Sequence, residues 1–148
     1  MIDYFEIVPV GYVRKDEEET WIEILEKYKD AVLNLDRFSH IITLWWITGK
    51  DNENDRSILQ AKAMIKNATR EPPKSGVFAT RAPVRPNPIG MTIVKLLKIE
   101  GNKIYIDRTD AFDSTPIIDI KPYIPKSDCI LNTTLPDYFE PLSEKRIE

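Results

Sequence analysis

The segment from Gly76 to Gly90 constrains the fold most, because its last ten residues hold three prolines and two arginines. Proline fixes φ and removes a backbone donor, so this stretch excludes a helix and a central strand. We expect a short strand over residues 76–80 and a stiff, extended loop over residues 81–90. A stiff polar loop loses little entropy when it binds a ligand, which favours a binding loop over an ordinary turn.

Length and composition are those of one ordinary globular domain of 148 residues, with 42% hydrophobic and 30% charged residues. The single cysteine excludes an internal disulfide. With one cysteine and one histidine in the chain, we expect no metal site. No apolar run approaches the ~18 residues of a membrane span, and the N-terminus lacks the basic residues of a signal peptide. We therefore expect a cytoplasmic protein with no membrane segment.

Basic residues are concentrated in the middle of the chain, although the net charge is −3. Between residues 62 and 95 there are seven lysines and arginines against one acid, Glu71. This pattern is compatible with an anionic ligand or a phosphate track, and equally with a solvated surface. The candidates for nucleic-acid contacts are the four residues that precede the loop, namely Lys62, Lys66, Arg70 and Lys74.

Short apolar runs separated by turn residues predict a mainly β domain. The helical spacing of Tyr28, Val32 and Leu35 predicts one short helix over residues 26–35. Glu100-Gly-Asn102 joins two alternating runs and indicates a hairpin. We expect a curled or closed antiparallel barrel, with an irregular tail from about residue 130. The expected strands are residues 5–13, 21–25, 40–47, 91–99, 103–107 and 117–120, with a weak preference for strand over residues 57–65.

A second informative segment runs from Asp110 to Tyr123. Its centre, Asp113-Ser-Thr-Pro116, is a turn by composition, because short side-chain oxygens compete for backbone donors. Carboxylates such as Asp110 and Asp113 suit ribose hydroxyls, and Asp119 either positions a polar partner or forms an ion pair.

Together the two segments resemble the TrmO-like family (TsaA-like domain) of S-adenosylmethionine-dependent tRNA methyltransferases. The most specific blocks are Arg85-Pro-Asn-Pro-Ile-Gly90 and Asp119-Ile-Lys-Pro-Tyr123, and the resemblance covers roughly residues 6–128. It implies a single-sheeted antiparallel β-barrel that forms a homodimer. It further implies that the enzyme methylates N6 of N6-threonylcarbamoyladenosine, next to the tRNA anticodon. The chain is similar to the short members, which lack an extra C-terminal domain, so residues 1–148 are expected to form one domain.

The resemblance also implies which residues bind S-adenosylmethionine. Arginine suits the carboxylate of the methionine moiety, Asp113 suits the ribose diol, and backbone groups near Ser114 and Thr115 suit the adenine edge. The expected cofactor site comprises Arg81, Arg85, Asn87, Asp113, Ser114, Thr115 and Pro116.

Methyl transfer requires removal of the proton on N6, by a modest base or by water. The titratable candidates are Asp110 and Asp119, with His40 ranked below them, because a single histidine at the edge of an apolar strand is more often structural.

Three positions depart from the family pattern. Arg14 and the acidic residues after it replace the usual Pro-Arg-Gln segment, Thr48 ends a strand that usually finishes in histidine, and Ser114 stands where the turn usually has glycine. These departures bear on the acceptor and on catalysis more than on cofactor binding. Two alternatives therefore stay open: a barrel that methylates another RNA base or a small molecule, and a non-catalytic module that binds the cofactor or RNA.

Overall fold

The computed structural model of the protein describes residues 3–66 and 68–139. Six strands form its main sheet, and each is rich in β-branched or aromatic residues. They are β1 (Gly11–Lys15), β2 (Thr20–Ile24), β3 (His40–Trp46), β6 (Ile89–Glu100), β7 (Lys103–Ile106) and β8 (Pro116–Pro122). Two further strands, β4 (Gln60–Lys62) and β5 (Lys74–Gly76), form a small separate antiparallel sheet.

All pairings in the main sheet are antiparallel, in the order β1-β2-β7-β6-β3-β8. The ring closes where β8 returns to β1, through the pairs Gly11–Ile117 and Tyr12–Pro116. Because the ring closes, each strand of the main sheet pairs with a neighbour on both sides, and the open edge strand that commonly leads to aggregation is absent from this sheet. The predicted mainly β, antiparallel architecture is confirmed.

Successive side chains of each strand point to opposite faces of the sheet, and aliphatic side chains fill the space inside the closed ring. Ile22, Ile41 and Ile104 are completely buried. Residues from all six strands form the core, which comprises Val13, Ile22, Ile24, Ile41, Val94, Leu96, Ile104, Ile106, Ala111 and Ile117. Ala111 belongs to none of the strands, so the connection between β7 and β8 contributes to the core and is held against it.

The hairpin between β6 and β7 confirms the prediction made from Glu100-Gly-Asn102. Gly101 has φ of +60°, a conformation that glycine adopts at little cost. The side-chain amide of Asn102 (Nδ2) also donates to the Ile24 carbonyl at 3.0 Å, which ties the turn to β2.

Several local predictions were wrong. Residues 76–80 form the end of β5 and a 3-10 turn (Val77–Ala79) rather than a strand, because the Thr80 hydroxyl and amide both donate to the Val77 carbonyl. The first strand begins at Gly11 rather than at residue 5; Phe5 is 89% exposed and Pro9 has no amide to donate.

The prediction of one helix was wrong in number. The expected segment forms two 3-10 helices, Glu26–Val32 and Leu35–Arg37, and the rest of the described chain has two single-turn α-helices. The first is α1 (Glu53–Arg56), and the Asn52 side chain caps it by accepting from the Asp55 amide. The second is α2 (Pro125–Asp128). Within the described residues, no helix has the length and apolar character needed to span a membrane.

The predicted tail is partly ordered on the surface. Tyr138 is buried, and Thr69 donates from its hydroxyl to the Asp137 carbonyl at 2.8 Å. Residues 140–148, which complete that tail, lie outside the described residues.

Candidate functional site

The proline loop, residues 81–88, is held in shape by one of its own arginines. Arg85 is half-buried, and its Nη1 donates to the carbonyls of Thr80 and Ala82 at 3.2 and 3.1 Å. These carbonyls lie on either side of Arg81, so Arg85 fixes the backbone from which Arg81 projects. The Arg81 side chain is exposed and has no hydrogen bond or ion pair with the rest of the described chain.

A residue that the sequence did not single out, Arg56 at the end of α1, anchors the same loop from outside. Its Nε donates to the Pro86 carbonyl at 2.8 Å and its Nη2 to Asn87 Oδ1 at 3.2 Å. Its Nη1 pairs with Asp51 at 2.8 Å, and the hydrogen bond from this guanidinium lowers the pKa of the Asp51 carboxyl. The only signal in the sequence is one arginine at the end of an acidic, polar stretch.

The turn at residues 113–116 is bonded to the end of β1. Lys15 donates its backbone amide to Asp113 Oδ1 at 2.9 Å, and the Ser114 amide donates to the Val13 carbonyl at 2.7 Å. Ser114 has φ of +68°, in the left-handed region where glycine is favoured. This conformation explains why a glycine is usual at that position of the family pattern.

The three departures from the family pattern meet at this turn. Arg14 Nη1 donates to Ser114 Oγ at 3.1 Å, which gives the serine a partner that glycine lacks. The hydroxyls of Thr48 and Thr115 share a hydrogen bond of 2.7 Å, and Thr115 is fully buried. The residues of this chain that differ from the family pattern therefore belong to the predicted cofactor turn or contact it.

A cleft of about 320 Å³ lies beside the loop and the β7–β8 connection. Arg81, residues 91–93 of β6 and residues 108–110 line it. This volume is at the lower end of the range for small-molecule sites. Arg108, like Arg81, is exposed and has no ion pair or hydrogen bond within residues 3–66 and 68–139. Arg108 was missed because it follows the β7 strand with no motif around it.

The structure separates the three candidate bases. Asp110 lies in the cleft with the two arginines. Asp119 lies on β8, where its carboxylate accepts from the Ile120 amide at 2.9 Å and pairs with Lys121 at 3.0 Å. His40 begins β3, where Nδ1 is 2.8 Å from Ser39 Oγ. Neither Asp119 nor His40 lines the cleft, so only Asp110 combines a carboxylate with the free arginines.

The predicted cofactor residues fall into two groups in the structure. Arg81 is the only one of them on the wall of the cleft. Asn87 contacts Arg56, and residues 113–116 contact β1 and Thr48. Lys15 links the turn to the cleft. Its backbone amide donates to Asp113, and its Nζ donates to the carbonyl of Thr109, which lines the cleft, at 3.1 Å.

The four basic residues proposed for nucleic acid also divide. Lys62 pairs with Glu71, and Arg70 pairs with Asp137 at 2.7 Å. These contacts lower the pKa of the Glu71 carboxyl, through the Lys62 hydrogen bond, and that of the Asp137 carboxyl, through Arg70. Lys66 and Lys74 are exposed, and Lys74 lies opposite Lys62 in the β4–β5 pair.

Chemically, the cleft presents two guanidinium groups and one carboxylate, those of Arg81, Arg108 and Asp110. Two free guanidinium groups suit carboxylates or phosphates, which they bind through paired hydrogen bonds. Among the described residues, no group of three or more His, Cys, Asp or Glu side chains is arranged to hold a metal ion.

Comparison with known proteins shows which proteins this chain is similar to. A probable S-adenosyl-L-methionine-binding protein of Methanocaldococcus jannaschii is 43% identical over 123 residues, which cover 82% of this chain and 94% of that protein. The human tRNA (adenine(37)-N6)-methyltransferase is 36% identical over 125 residues, which cover 84% of this chain and 26% of the human protein.

Among solved structures, TrmO from Pseudomonas aeruginosa matches with a TM-score of 0.67 and 25% identity over 89% of this chain. The chain spans 62% of that TrmO chain. The sequence matches the family described as the tRNA-methyltransferase O N-terminal domain over residues 6–129, which include every strand of the main sheet. As the two motif segments predicted, the chain belongs to the tRNA-methyltransferase O N-terminal domain family.

Proposed function

We propose that the protein is an S-adenosyl-L-methionine-dependent methyltransferase that acts on tRNA, at N6 of N6-threonylcarbamoyladenosine beside the anticodon. The observation that carries the proposal is the cleft, where Arg81 and Asp110 meet in a chain of this family. The names of relatives add support, since one is named a probable S-adenosyl-L-methionine-binding protein and another a tRNA (adenine(37)-N6)-methyltransferase.

The residues of the cleft fit the proposed cofactor. The methionine part carries a carboxylate, and Arg81 offers a guanidinium that has no partner within the described chain. Arg85 holds the backbone on either side of Arg81 and Arg56 holds the loop at Pro86, so little conformational entropy is lost when the carboxylate binds. Asp113 and its turn adjoin the cleft through Lys15, where the ribose and adenine parts are expected.

When bound, S-adenosyl-L-methionine supplies a methyl group on a positively charged sulfur, which makes that carbon electrophilic. The protein has to align the acceptor nitrogen with this carbon and remove the N6 proton. Asp110 is exposed in the cleft and accepts that proton. The carbamoyl group on N6 makes the proton more acidic than in adenine, so an ordinary carboxylate suffices.

We propose that tRNA binds partly through Lys66 and Lys74. Both are exposed, whereas Lys62 and Arg70 already pair with acids. Each phosphate contact that is lost should reduce the slope of log affinity against log salt by ~1. Lys29→Ala is the control, because Lys29 pairs with Glu26 on the 3-10 helix that follows β2.

We further propose that the closed ring of the main sheet is the β-barrel expected for the family. We also propose that two copies of the chain associate and that the protein is cytoplasmic. The outer face of β6 supports association, because Ile89, Met91 and Leu97 are 41%, 47% and 56% exposed. Met91 also lines the cleft, so a second copy on this face would extend its wall. Light scattering should give twice the chain mass of 17.2 kDa, and Leu97→Lys should restore the single-chain mass. A wild-type protein of single-chain mass would contradict this.

A second candidate is a non-catalytic module that binds S-adenosyl-L-methionine. The relatives that this chain covers almost completely are named for binding alone, whereas the named methyltransferases are much longer proteins. The cofactor site is the same in both proposals, and they differ only in whether a methyl group is transferred.

Nucleoside mass spectrometry separates the two candidates. Protein, cofactor and tRNA containing threonylcarbamoyladenosine should yield the methylated nucleoside. Asp110→Asn should slow the reaction by ~10²-fold or more, as expected for loss of a general base. Asp36→Asn, at an exposed position in the Leu35–Arg37 turn, is the matched control. Cofactor binding with no methylated nucleoside would favour the binding module.

A further inference from the structure

Arg108 is the second guanidinium in the cleft, and the proposed cofactor has only one carboxylate. Arg81 projects from the proline loop and Arg108 from the β7–β8 connection, and both line the cleft with Asp110. Within the described residues neither arginine has an anionic partner. A site with two free arginines and one acid suits a second anionic group from another ligand.

The backbone on both sides of Arg108 is fixed, although its side chain is free. Asp107 exchanges two hydrogen bonds with Lys95: the Lys95 amide donates to Oδ1 at 2.9 Å, and the Asp107 amide donates to the Lys95 carbonyl at 3.2 Å. On the other side, Lys15 Nζ donates to the Thr109 carbonyl at 3.1 Å. A free guanidinium on a clamped backbone is preorganised for a ligand.

We propose that Arg108 binds the threonyl carboxylate of the acceptor base and thereby selects threonylcarbamoyladenosine over adenosine. This inference rests on the proposed function. In the acceptor, the carboxylate belongs to the same substituent as the N6 proton. In the protein, Arg108 is only two positions from Asp110, the proposed acceptor of that proton, and both line one cleft. One short segment therefore offers partners for both groups of the same substituent.

Discrimination by such a contact rests on the paired, charge-assisted hydrogen bonds that a guanidinium makes to a carboxylate and cannot make to an uncharged acceptor. An acceptor without the carboxylate leaves Arg108 unpaired beside Arg81. An RNA phosphate is the other source of an anion for Arg108, and the experiment below distinguishes the two.

The test uses two anticodon stem-loop RNAs. One carries threonylcarbamoyladenosine and the other carries its threonine amide, which has the same size but no charge. KM and kcat are measured for the wild type, for Arg108→Gln and for Arg108→Lys. For the carboxylate RNA, Arg108→Gln should raise KM by ~10–100-fold, as for loss of a charged hydrogen bond, and Arg108→Lys should recover part of it.

For the amide RNA, the wild type should already show the high KM, and Arg108→Gln should change it little. Calorimetry should give unchanged cofactor affinity in Arg108→Gln. Arg37→Gln is the matched control, since Arg37 is exposed and lies in the turn before β3. Equal losses for the two RNAs would assign Arg108 to a phosphate and overturn the proposal, as would an unchanged KM for both.

A second readout keeps this test independent of catalysis. Fluorescence anisotropy of the two RNAs without cofactor should show tighter binding of the carboxylate RNA to the wild type and equal binding to Arg108→Gln. If no RNA is methylated yet this preference is present, the proposed activity fails and the assignment of Arg108 stands. If the wild type binds both RNAs equally, the assignment of Arg108 fails whatever the activity.

Discussion

Arg56 and Asn87 are joined by a side-chain hydrogen bond of 3.2 Å between the end of α1 and the proline loop. The same guanidinium donates to the Pro86 carbonyl at 2.8 Å and lies 5.6 Å from the centre of the Trp46 ring. The loop that carries Arg81 therefore depends on a residue 25 positions upstream that has no place on the wall of the cleft.

Arg56→Ala is expected to weaken cofactor binding without removing a ligand contact. The variant loses two hydrogen bonds to the loop, worth ~0.5–1.5 kcal/mol each. The bound ligand restores part of the order of the loop, so the Kd for S-adenosyl-L-methionine should rise by roughly 3–10-fold. Calorimetry on the purified variant measures this. Arg37→Ala should bind like the wild type, and equal affinities for Arg56→Ala and Arg37→Ala would exclude the anchoring role.

The Asp51–Arg56 pair predicts a dependence of stability on pH. The hydrogen bond from Arg56, followed by one from Trp46, holds the pKa of Asp51 below its ordinary value of 3.8. A pKa that folding lowers adds stability above the ordinary value, and that stability is lost as the pH falls through the lowered value.

The measurement is urea denaturation of the wild type and Asp51→Asn between about pH 7 and about pH 3. Near neutral pH the wild type should have the higher free energy of unfolding. The difference in the free energy of unfolding between the two proteins should shrink as the pH falls below 3.8, the ordinary pKa of the carboxyl. The pair is exposed, so added salt should also reduce the difference. A difference that is constant with pH would contradict the assignment.

Because Ser114 has φ of +68°, we expect two substitutions at this position to differ in their effect on stability. Ser114→Val should lower the free energy of unfolding by ~1–3 kcal/mol, since a β-branched side chain is strained in that region. Ser114→Gly should stay within ~0.5 kcal/mol of the wild type, because relief of strain offsets the greater freedom of the unfolded chain. Thermal and urea unfolding test both variants; a Gly variant as unstable as the Val variant would show that the Arg14 contact, rather than backbone conformation, decides stability.

Gly90 is expected to tolerate no side chain. A Cβ at this position would lie 2.5 Å from the Trp45 ring, whose Nε1 donates to Thr92 Oγ1 at 3.2 Å on the wall of the cleft. Gly90→Ala should therefore cost ~1–3 kcal/mol and change the near-UV circular dichroism of tryptophan. Gly76→Ala is the control, because no atom lies within 4 Å of the corresponding Cβ. Similar losses in the two variants would contradict the packing argument.

Periodicity and turn chemistry predicted most strands of the main sheet, but they placed the first strand and the helical turns poorly. β3 is a long apolar run rich in β-branched and aromatic residues, and the β6–β7 hairpin joins two alternating runs through a turn signal. In both, local preference and sheet pairing agree. By contrast, the turn at Val77–Ala79 depends on one hydroxyl donating to a carbonyl three residues earlier, which no apolar period records. The helical segment after β2 was predicted at the right place, but in the structure its first seven residues form a 3-10 helix.

The site was predictable only where a motif carried it. Arg81 and Asp110 lie in the same cleft although 29 positions separate them, and both belong to segments that the sequence singled out. Arg56 and Arg108 belong to no motif, since their roles arise from contacts across the fold. Arg85 belongs to the motif, yet its Nη1 is bonded to the carbonyls around Arg81.

Calorimetric titration of the wild type and Arg81→Gln with S-adenosyl-L-methionine tests the central claim most directly. The wild type should bind one cofactor per chain, and Arg81→Gln should bind ~10–100-fold more weakly, as for loss of a charge-assisted pair of hydrogen bonds. Absence of binding to the wild type at millimolar cofactor, or equal affinity of the two proteins, would contradict the assignment of the cleft as the cofactor site.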